Sequence, residues 1–218
     1  SVHNEAIKFS GADSDYFSEQ KIKVVREMEK DSGLRFLDFG CGDGNSARYF
    51  QKHFPHSKYV GLDTSERSVE LARQAVSGGD AEFIGYDGTT MPFDAGLFDV
   101  VFAACVFHHI EHAAHESMLA EIKRVLRTGG RLYLFEHNPL NPLTRRVVNN
   151  CPFDEDAVLL KAGYTKELFR RSGFGEIEID YTIFFPNHRI FRGLHFLERH
   201  LRWLPLGGQY FARAVKAE

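Results

Sequence analysis

The chain has 218 residues, enough for one domain with a sizeable core. A formal charge of −3, with 43% hydrophobic and 26% charged residues, excludes a disordered chain and a protein that coats nucleic acid by charge alone. Cys41, Cys105 and Cys151 lie far apart without CxxC spacing, which argues against a zinc knuckle or a disulfide framework. They point to a reducing compartment, the cytoplasm. The longest purely apolar run, Val100 to Phe107, falls far short of a membrane span. Ser1-Val2-His3-Asn4 carries no basic-then-apolar signal pattern.

In chain order, a helix is predicted over about Ser18 to Lys30, with Ile22, Val25 and Met28 on one side. Leu34 to Phe39 reads as a first strand ending in a glycine cluster, followed by a helix from Asn45 to His53. Lys58 to Asp63 is a second strand. Ser65 is placed to cap a helix running to about Val76. Ala81 to Gly85 is a short third strand. Phe98 to Ala104 is almost continuously apolar, as in a central strand buried on both faces. A helix from Glu116 to Arg127 is expected to end at a glycine cap, Thr128-Gly129-Gly130. Arg131 to Phe135 is a fifth strand. From His137 to about Gly163 the chain has three prolines and no clean period. Thr165 is expected to cap a short helix to Ser172, stopped by Gly173. Glu176 to Ile183 alternates like a strand, Phe184 to Pro205 is aromatic and basic with helical spacing after Arg189, and Gln209 to Val215 is a last strand. The alternation of strands and helices predicts an α/β fold with a mostly parallel sheet.

The strongest signal is Leu37-Asp38-Phe39-Gly40-Cys41-Gly42-Asp43-Gly44. Glycine serves where a backbone must turn tightly and approach a ligand. The spacing is GxGxG rather than the dinucleotide GxGxxG, and no Walker lysine follows. Asp63 lies 21 residues after Gly42, at the end of the second strand, where an acid accepts hydrogen bonds from ribose hydroxyls. Asp87 is a third acid at the same edge. Each acid alone could be a turn residue; the set is harder to obtain by chance.

These residues resemble the class I S-adenosylmethionine (SAM)-dependent methyltransferases, over about Arg35 to Phe135. Residues 37–44 are similar to the family's first motif, and Tyr59-Val60-Gly61-Leu62-Asp63 to its second strand. Tyr86-Asp87-Gly88 matches the position whose acid faces the adenine amino group. Phe98-Asp99-Val100-Val101 with Val106-Phe107-His108-His109-Ile110 resembles the fourth-strand motif of small-molecule methyltransferases. Val125 to Gly130 is similar to the turn before the fifth strand. The resemblance implies a seven-stranded Rossmann-like sheet, order 3-2-1-4-5-7-6, with strand 7 antiparallel and helices on both faces. It implies SAM as cofactor, S-adenosylhomocysteine as product, and a cofactor-binding set of Asp38, Gly40, Cys41, Gly42, Asp43, Asp63, Thr64, Asp87, Gly88, Ala103, Ala104 and His108. The whole chain, 1–218, then reads as one methyltransferase domain: 1–33 an N-terminal helix and lid, 34–136 the SAM-binding core, 137–163 a loop insertion, and 164–218 the last strands with an aromatic-basic cap at 184–205.

Methyl transfer from a sulfonium chiefly demands positioning, and a general base only where the acceptor loses a proton. Such groups belong on loops beyond the carboxyl ends of strands. His108, His109 and His137 are the candidates for a base or an acceptor-positioning group, with loop packing and capping as the bland alternative. Glu136, His137, Asn138, Arg189 and Tyr210 are candidates for the acceptor side, with loop anchoring as the alternative. His108, His112 and His115 have helical spacing, but no HExxH pattern accompanies them, and no metal is expected. Neither nucleic-acid methyltransferase signature is met: Asn138-Pro139-Leu140 and Asn141-Pro142-Leu143 follow strand 5 and lack the aromatic, and Ala104 precedes Cys105. A small-molecule or lipid-like acceptor is the expectation. Two rivals are a nicotinamide-dependent oxidoreductase, disfavoured by the glycine spacing, and a non-catalytic SAM-binding interaction module. The aromatic-basic stretch reads as a pocket for an anionic acceptor, as a helix on a membrane surface, or as a cap whose aromatics pack on the sheet.

Overall fold

The computed structural model describes residues 14–76, 81–151, 156–185 and 189–217, without the side chains of residues 14, 189, 190 and 192. In chain order the elements are α1 Ser14–Met28, β1 Arg35–Phe39, α2 Ala47–His53, β2 Lys58–Asp63, α3 Glu66–Ala75, β3 Ala81–Gly85 and β4 Phe98–Ala104. There follow α4 His115–Val125, β5 Leu126–His137, α5 Pro142–Val148, α6 Ala162–Arg171, β6 Phe174–Thr182, a 3-10 segment Arg189–Leu197, α7 Glu198–Leu201 and β7 Gln209–Lys216. The seven strands form one sheet, β3-β2-β1-β4-β5-β7-β6. β7 runs antiparallel to both β5 and β6, and the other pairings are parallel. Sheet order and direction match the expectation.

Strand periodicity divides the core into two layers. On β1 and β4, Leu37, Phe39, Val101 and Ala103 face one cluster, which Leu119, Ile122 and Phe169 of α4 and α6 cover. The alternate residues Phe36, Val100 and Phe102 face the other, which Ile22 and Val25 of α1, Phe50 of α2 and Val69 of α3 cover. A strand buried on both faces reads as an apolar run because both sets of alternate positions are inside.

Three local expectations change. α4 ends at Val125, and Leu126 is already extended, at φ −70 and ψ 139. Thr128-Gly129-Gly130 is therefore a bulge inside β5, between the pairs Phe98 with Leu126 and Val100 with Arg131. A Cβ on Gly130 would lie 2.7 Å from the Arg127 carbonyl, so this bend needs glycine. Thr165 is not a cap. It lies inside α6, buried, with its hydroxyl 2.7 Å from the Tyr210 hydroxyl. Finally, the stretch without a clean period contains α5. Asn141 caps it by accepting from Leu143 N–H at 3.0 Å and Thr144 N–H at 3.1 Å, with Pro142 in the first turn.

Candidate functional site

The three glycines after β1 all have positive φ: 75° at Gly40, 54° at Gly42 and 78° at Gly44. Their surroundings differ. A Cβ on Gly40 would sit 2.4 Å from Val106 Cγ2, so this glycine admits the loop after β4. One on Gly44 would sit 2.9 Å from Ala72 and 3.1 Å from Phe83, so this one admits α3 and β3. Gly42 has nothing within 4 Å and faces open space. Cys41 turns inward against Gly61 of β2, and burial raises its thiol pKa, with Asp38 and Asp63 adding to the shift. Asp43 is exposed on the loop.

Asp63 ties the loop to the next strand. One carboxylate oxygen accepts the Gly42 N–H at 2.8 Å and the other accepts the Ser65 N–H at 2.9 Å. Gly40 N–H and Cys41 N–H donate to the Leu62 carbonyl at 2.8 and 3.1 Å. Asp87, exposed at the end of β3, accepts from Thr89 N–H, Thr89 hydroxyl and Thr90 N–H. These bonds, the Thr89 N–H foremost, hold its carboxyl below the usual range. Thr64 faces Gly88 across this edge: a Cβ on Gly88 would lie 3.4 Å from the Thr64 methyl. Asp38 is buried, and its carboxylate accepts the Tyr59 hydroxyl at 2.5 Å. Burial pushes its pKa up to about 7, against the opposing Tyr59 hydrogen bond. The Ala103 side chain is spent on the core, while Ala104 packs at its margin.

A second group of residues gathers beyond β4, β5 and β7. Glu136 is fully buried. One of its oxygens accepts the Phe107 N–H at 2.9 Å, and the other accepts from His108 Nδ1 at 2.5 Å. The His108 ring lies 4.2 Å from that of His109 and 5.4 Å from that of His137. His109 is exposed and His137 half-buried. Cys105, at φ 60°, follows β4, and its sulfur lies 3.7 Å from Gln209 Nε2. Gln209 pairs with His137 on β5 and Thr182 on β6. Its Oε1 is buried and has no hydrogen-bond partner among the described residues. A buried amide oxygen without a donor costs about 1–3 kcal/mol, which makes Gln209 a candidate contact for a ligand group.

Other expected site residues are committed elsewhere. The buried Asn138 amide donates to the Pro205 and Gly207 carbonyls at 3.1 and 2.7 Å, and its oxygen accepts the Leu140 N–H, so it staples two loops. Tyr210 is fully buried, and its hydroxyl is engaged with Thr165. The side chain of Arg189 lies outside the described residues. His115 is buried, with Nε2 3.0 Å from the Phe107 and Ile110 carbonyls and Nδ1 2.9 Å from the Tyr164 hydroxyl. Burial lowers its pKa. Among the described residues no group of three metal-ligating side chains occurs. A cleft of about 330 Å³ between α4 and α6 has Glu116 and Arg171, already paired with each other, on its wall, and it does not include the glycine loop.

The N-terminal helix and the late insertion meet. The Tyr16 hydroxyl lies 3.5 Å from His195 Nδ1, and Arg202 pairs with Glu27 at 2.6 Å. α1 also touches the glycine loop, where the Asn45 amide donates to Ser18 Oγ at 3.1 Å. Phe185 and Phe191 are half-buried and 6.4 Å apart, but Phe196 and Trp203 are 65% and 73% exposed. The cap therefore packs only part of its aromatics on the sheet. Sequence reading placed Gln209 and Tyr59 in strands and Thr165 at a cap but did not find their contacts, because no local pattern marks them.

Residues 36–130 match the sequence profile of a family described as "Methyltransferase domain". A phthiotriol/phenolphthiotriol dimycocerosates methyltransferase of Mycobacterium leprae is 34% identical over 110 residues, half of this chain and 40% of the relative. A demethylmenaquinone methyltransferase of Thermotoga maritima is 34% identical over 120 residues, 55% of this chain and 49% of the relative. The chain thus spans about half the length, or less, of these relatives. Among solved structures, a SAM-dependent methyltransferase of Thermotoga maritima aligns with a TM-score of 0.68 at 20% identity, covering 93% of this chain and 89% of the other. A Haemonchus contortus phosphoethanolamine N-methyltransferase solved with S-adenosylhomocysteine aligns with a TM-score of 0.65 at 20% identity, covering 91% and 52%. At such identity these two likenesses show the fold.

Proposed function

We infer that this chain, whose residues 36–130 match a family described as "Methyltransferase domain", is a class I SAM-dependent methyltransferase that moves the methyl group of SAM to a small-molecule or lipid-like acceptor. The observation that carries this reading is the Gly42–Asp63 hydrogen bond beside open space. The residues fit the cofactor. Gly42 leaves an empty cradle where a Cβ would stand, and the Asp63 carboxylate, bonded to the Gly42 N–H, closes the same edge. Gly42 lets the backbone approach SAM, while Gly40 makes room for Val106 of the loop after β4. Each Asp63 oxygen, already accepting one N–H, keeps lone-pair capacity for a ribose hydroxyl. Asp87, kept ionised by its turn, with Thr64 and Gly88 beside it, serves the adenine side. Asp43 and the backbones of Cys41, Ala103 and Ala104 complete the set, and Asp38 supports it from the end of β1.

Bound SAM supplies a methyl group already activated on a sulfonium, so the protein's main task is alignment. Glu136 holds His108 through Nδ1, which leaves Nε2 as the basic nitrogen to take a proton from the acceptor. His137 and His109 flank it, and Gln209 Oε1 offers a hydrogen-bond acceptor to an N–H or O–H of the acceptor molecule. The relatives named for demethylmenaquinone and phthiotriol dimycocerosates favour the lipid-like class. Nothing in the composition favours nucleic acid. We read residues 1–218 as one domain. All three cysteines are thiols, which supports a cytoplasmic setting.

Calorimetric titration with SAM and S-adenosylhomocysteine tests the reading. Both bind the wild-type chain, and Asp63→Ala weakens them by about 100-fold, or ~2.7 kcal/mol. Failure of either ligand to bind the wild type overturns the function, and unchanged affinity in the variant overturns the ribose assignment.

A further inference from the structure

Eight large apolar side chains are exposed among the described residues, and six of them fall in two stretches: Leu140 and Leu143 in the first, Leu194, Phe196, Trp203 and Leu206 in the second. Such clustering is unlike the scattered exposure of ordinary surfaces. The two stretches are one structural unit. Asn138 donates to the Pro205 and Gly207 carbonyls, Asn141 Nδ2 to the Leu206 carbonyl at 2.8 Å, and the Thr144 hydroxyl to the Gly208 carbonyl at 2.8 Å. These bonds set Leu140 and Leu143 beside Leu206, at the sheet edge where β5 ends and β7 begins.

Charge gathers at the same place. Residues 138–148 have two arginines and no acid, and residues 189–206 have four arginines against Glu198, in a chain of net charge −3. Arg145, Arg146 and Arg199 are exposed. Glu198 is turned inward, 3.4 Å from His195 Nδ1 and from the Phe185 N–H, so the acid does not offset them at the surface. Exposed leucines and a tryptophan in the same stretches as the exposed Arg145, Arg146 and Arg199, with Arg202 spent on Glu27, match a bilayer interface, where apolar side chains enter the acyl boundary and guanidinium groups meet anionic headgroups.

We propose that the face built from residues 138–148 and 194–206 docks on an anionic lipid bilayer and presents the carboxyl edge of the sheet to a membrane-resident acceptor. The acceptor part rests on the methyltransferase reading; the docking does not. Binding combines apolar burial with attraction of the arginines to phosphate-bearing headgroups, and is therefore salt-sensitive.

Trp203 is the only tryptophan of the chain and lies on this face, so its fluorescence reports docking directly. The measurement uses the whole chain without SAM or acceptor, which separates its failure from failure of the function. Vesicles of phosphatidylcholine with phosphatidylglycerol are expected to shift Trp203 emission to the blue and to carry the protein down on sedimentation. Vesicles of phosphatidylcholine alone bind about tenfold more weakly, and raised salt removes the difference. Replacing Leu140, Leu143 and Leu206 together by serine weakens sedimentation by about tenfold or more while SAM affinity stays unchanged. Arg145→Gln with Arg146→Gln weakens binding to anionic vesicles alone and serves if the serine variant misfolds. No blue shift with either vesicle overturns the proposal, as does equal binding to both. A shift that follows protein concentration without lipid also overturns it, by showing that a second copy covers the face.

Discussion

The two edges of the sheet treat polar groups in opposite ways. At the amino edge Glu29 is buried and saturated: Arg131 forms an ion pair with it, and the Tyr133 hydroxyl donates to it at 2.7 Å. Asp99 nearby accepts the Arg35 N–H at 2.8 Å and Arg127 Nε at 2.5 Å. At the carboxyl edge Gln209 Oε1 is buried without a donor, Cys105 and Ile183 hold positive φ, and Gly42 faces open space. The first edge spends these two acids on the fold. The other leaves an amide oxygen unpaired and a glycine facing open space, as expected where a ligand completes the structure.

Substitutions can break this contrast, starting with the largest effect. Glu29→Ala strands the Arg131 charge and should cost about 3–5 kcal/mol of stability in urea unfolding, with SAM affinity unchanged. Glu136→Gln should act the other way. Its amide turns an N–H toward His108 Nδ1 and forces the ring proton onto Nε2, so kcat falls about 100-fold for an acceptor that must lose a proton, as single-turnover kinetics would read. An unchanged kcat removes His108 as the base.

Asp38 sharpens the comparison through pH. Its pKa is raised to about 7 in the fold, from the ordinary 3.8 of an aspartate in the unfolded chain. Between about pH 4 and 7 the unfolded chain releases a proton that the fold retains, so stability from this group falls as pH rises and levels off above 7. Relative to wild type, Asp38→Asn should therefore gain about 2 kcal/mol between pH 5 and pH 8, measured as urea midpoints. The smallest effect belongs to Gln209→Met. Removing an unsatisfied amide should leave stability equal or raise it by about 1 kcal/mol, while KM for the acceptor rises. A loss of stability would mean that Gln209 belongs to the fold rather than to the site.

Several of these groups were legible in the sequence because their geometry is local. The turn from β1 into the next helix needs positive φ at closely spaced positions, and glycine announces that. The ends of β2 and β3 carry Asp63 and Asp87, whose hydrogen bonds are made within a few residues or to the neighbouring strand. The strand β4 was visible as a nearly continuous apolar run because both faces of a central strand are buried. Asn141-Pro142 carried the signature of a helix start, but only once α5 is seen does that outweigh its surroundings.

The sequence by itself determined the α/β fold, the order of its elements and the glycine-acid edge. Tertiary structure alone decided that Gly42 is the glycine facing open space, that Thr165 serves Tyr210, and that Asn138 staples two loops rather than facing an acceptor. It also decided that α1 meets the cap through Tyr16 and His195, residues 179 positions apart. The reason is physical. Backbone conformation is set by neighbours within a few residues, so it leaves a pattern in the chain. The partner of a buried hydroxyl or amide is set by the register of distant strands, and no short pattern records it.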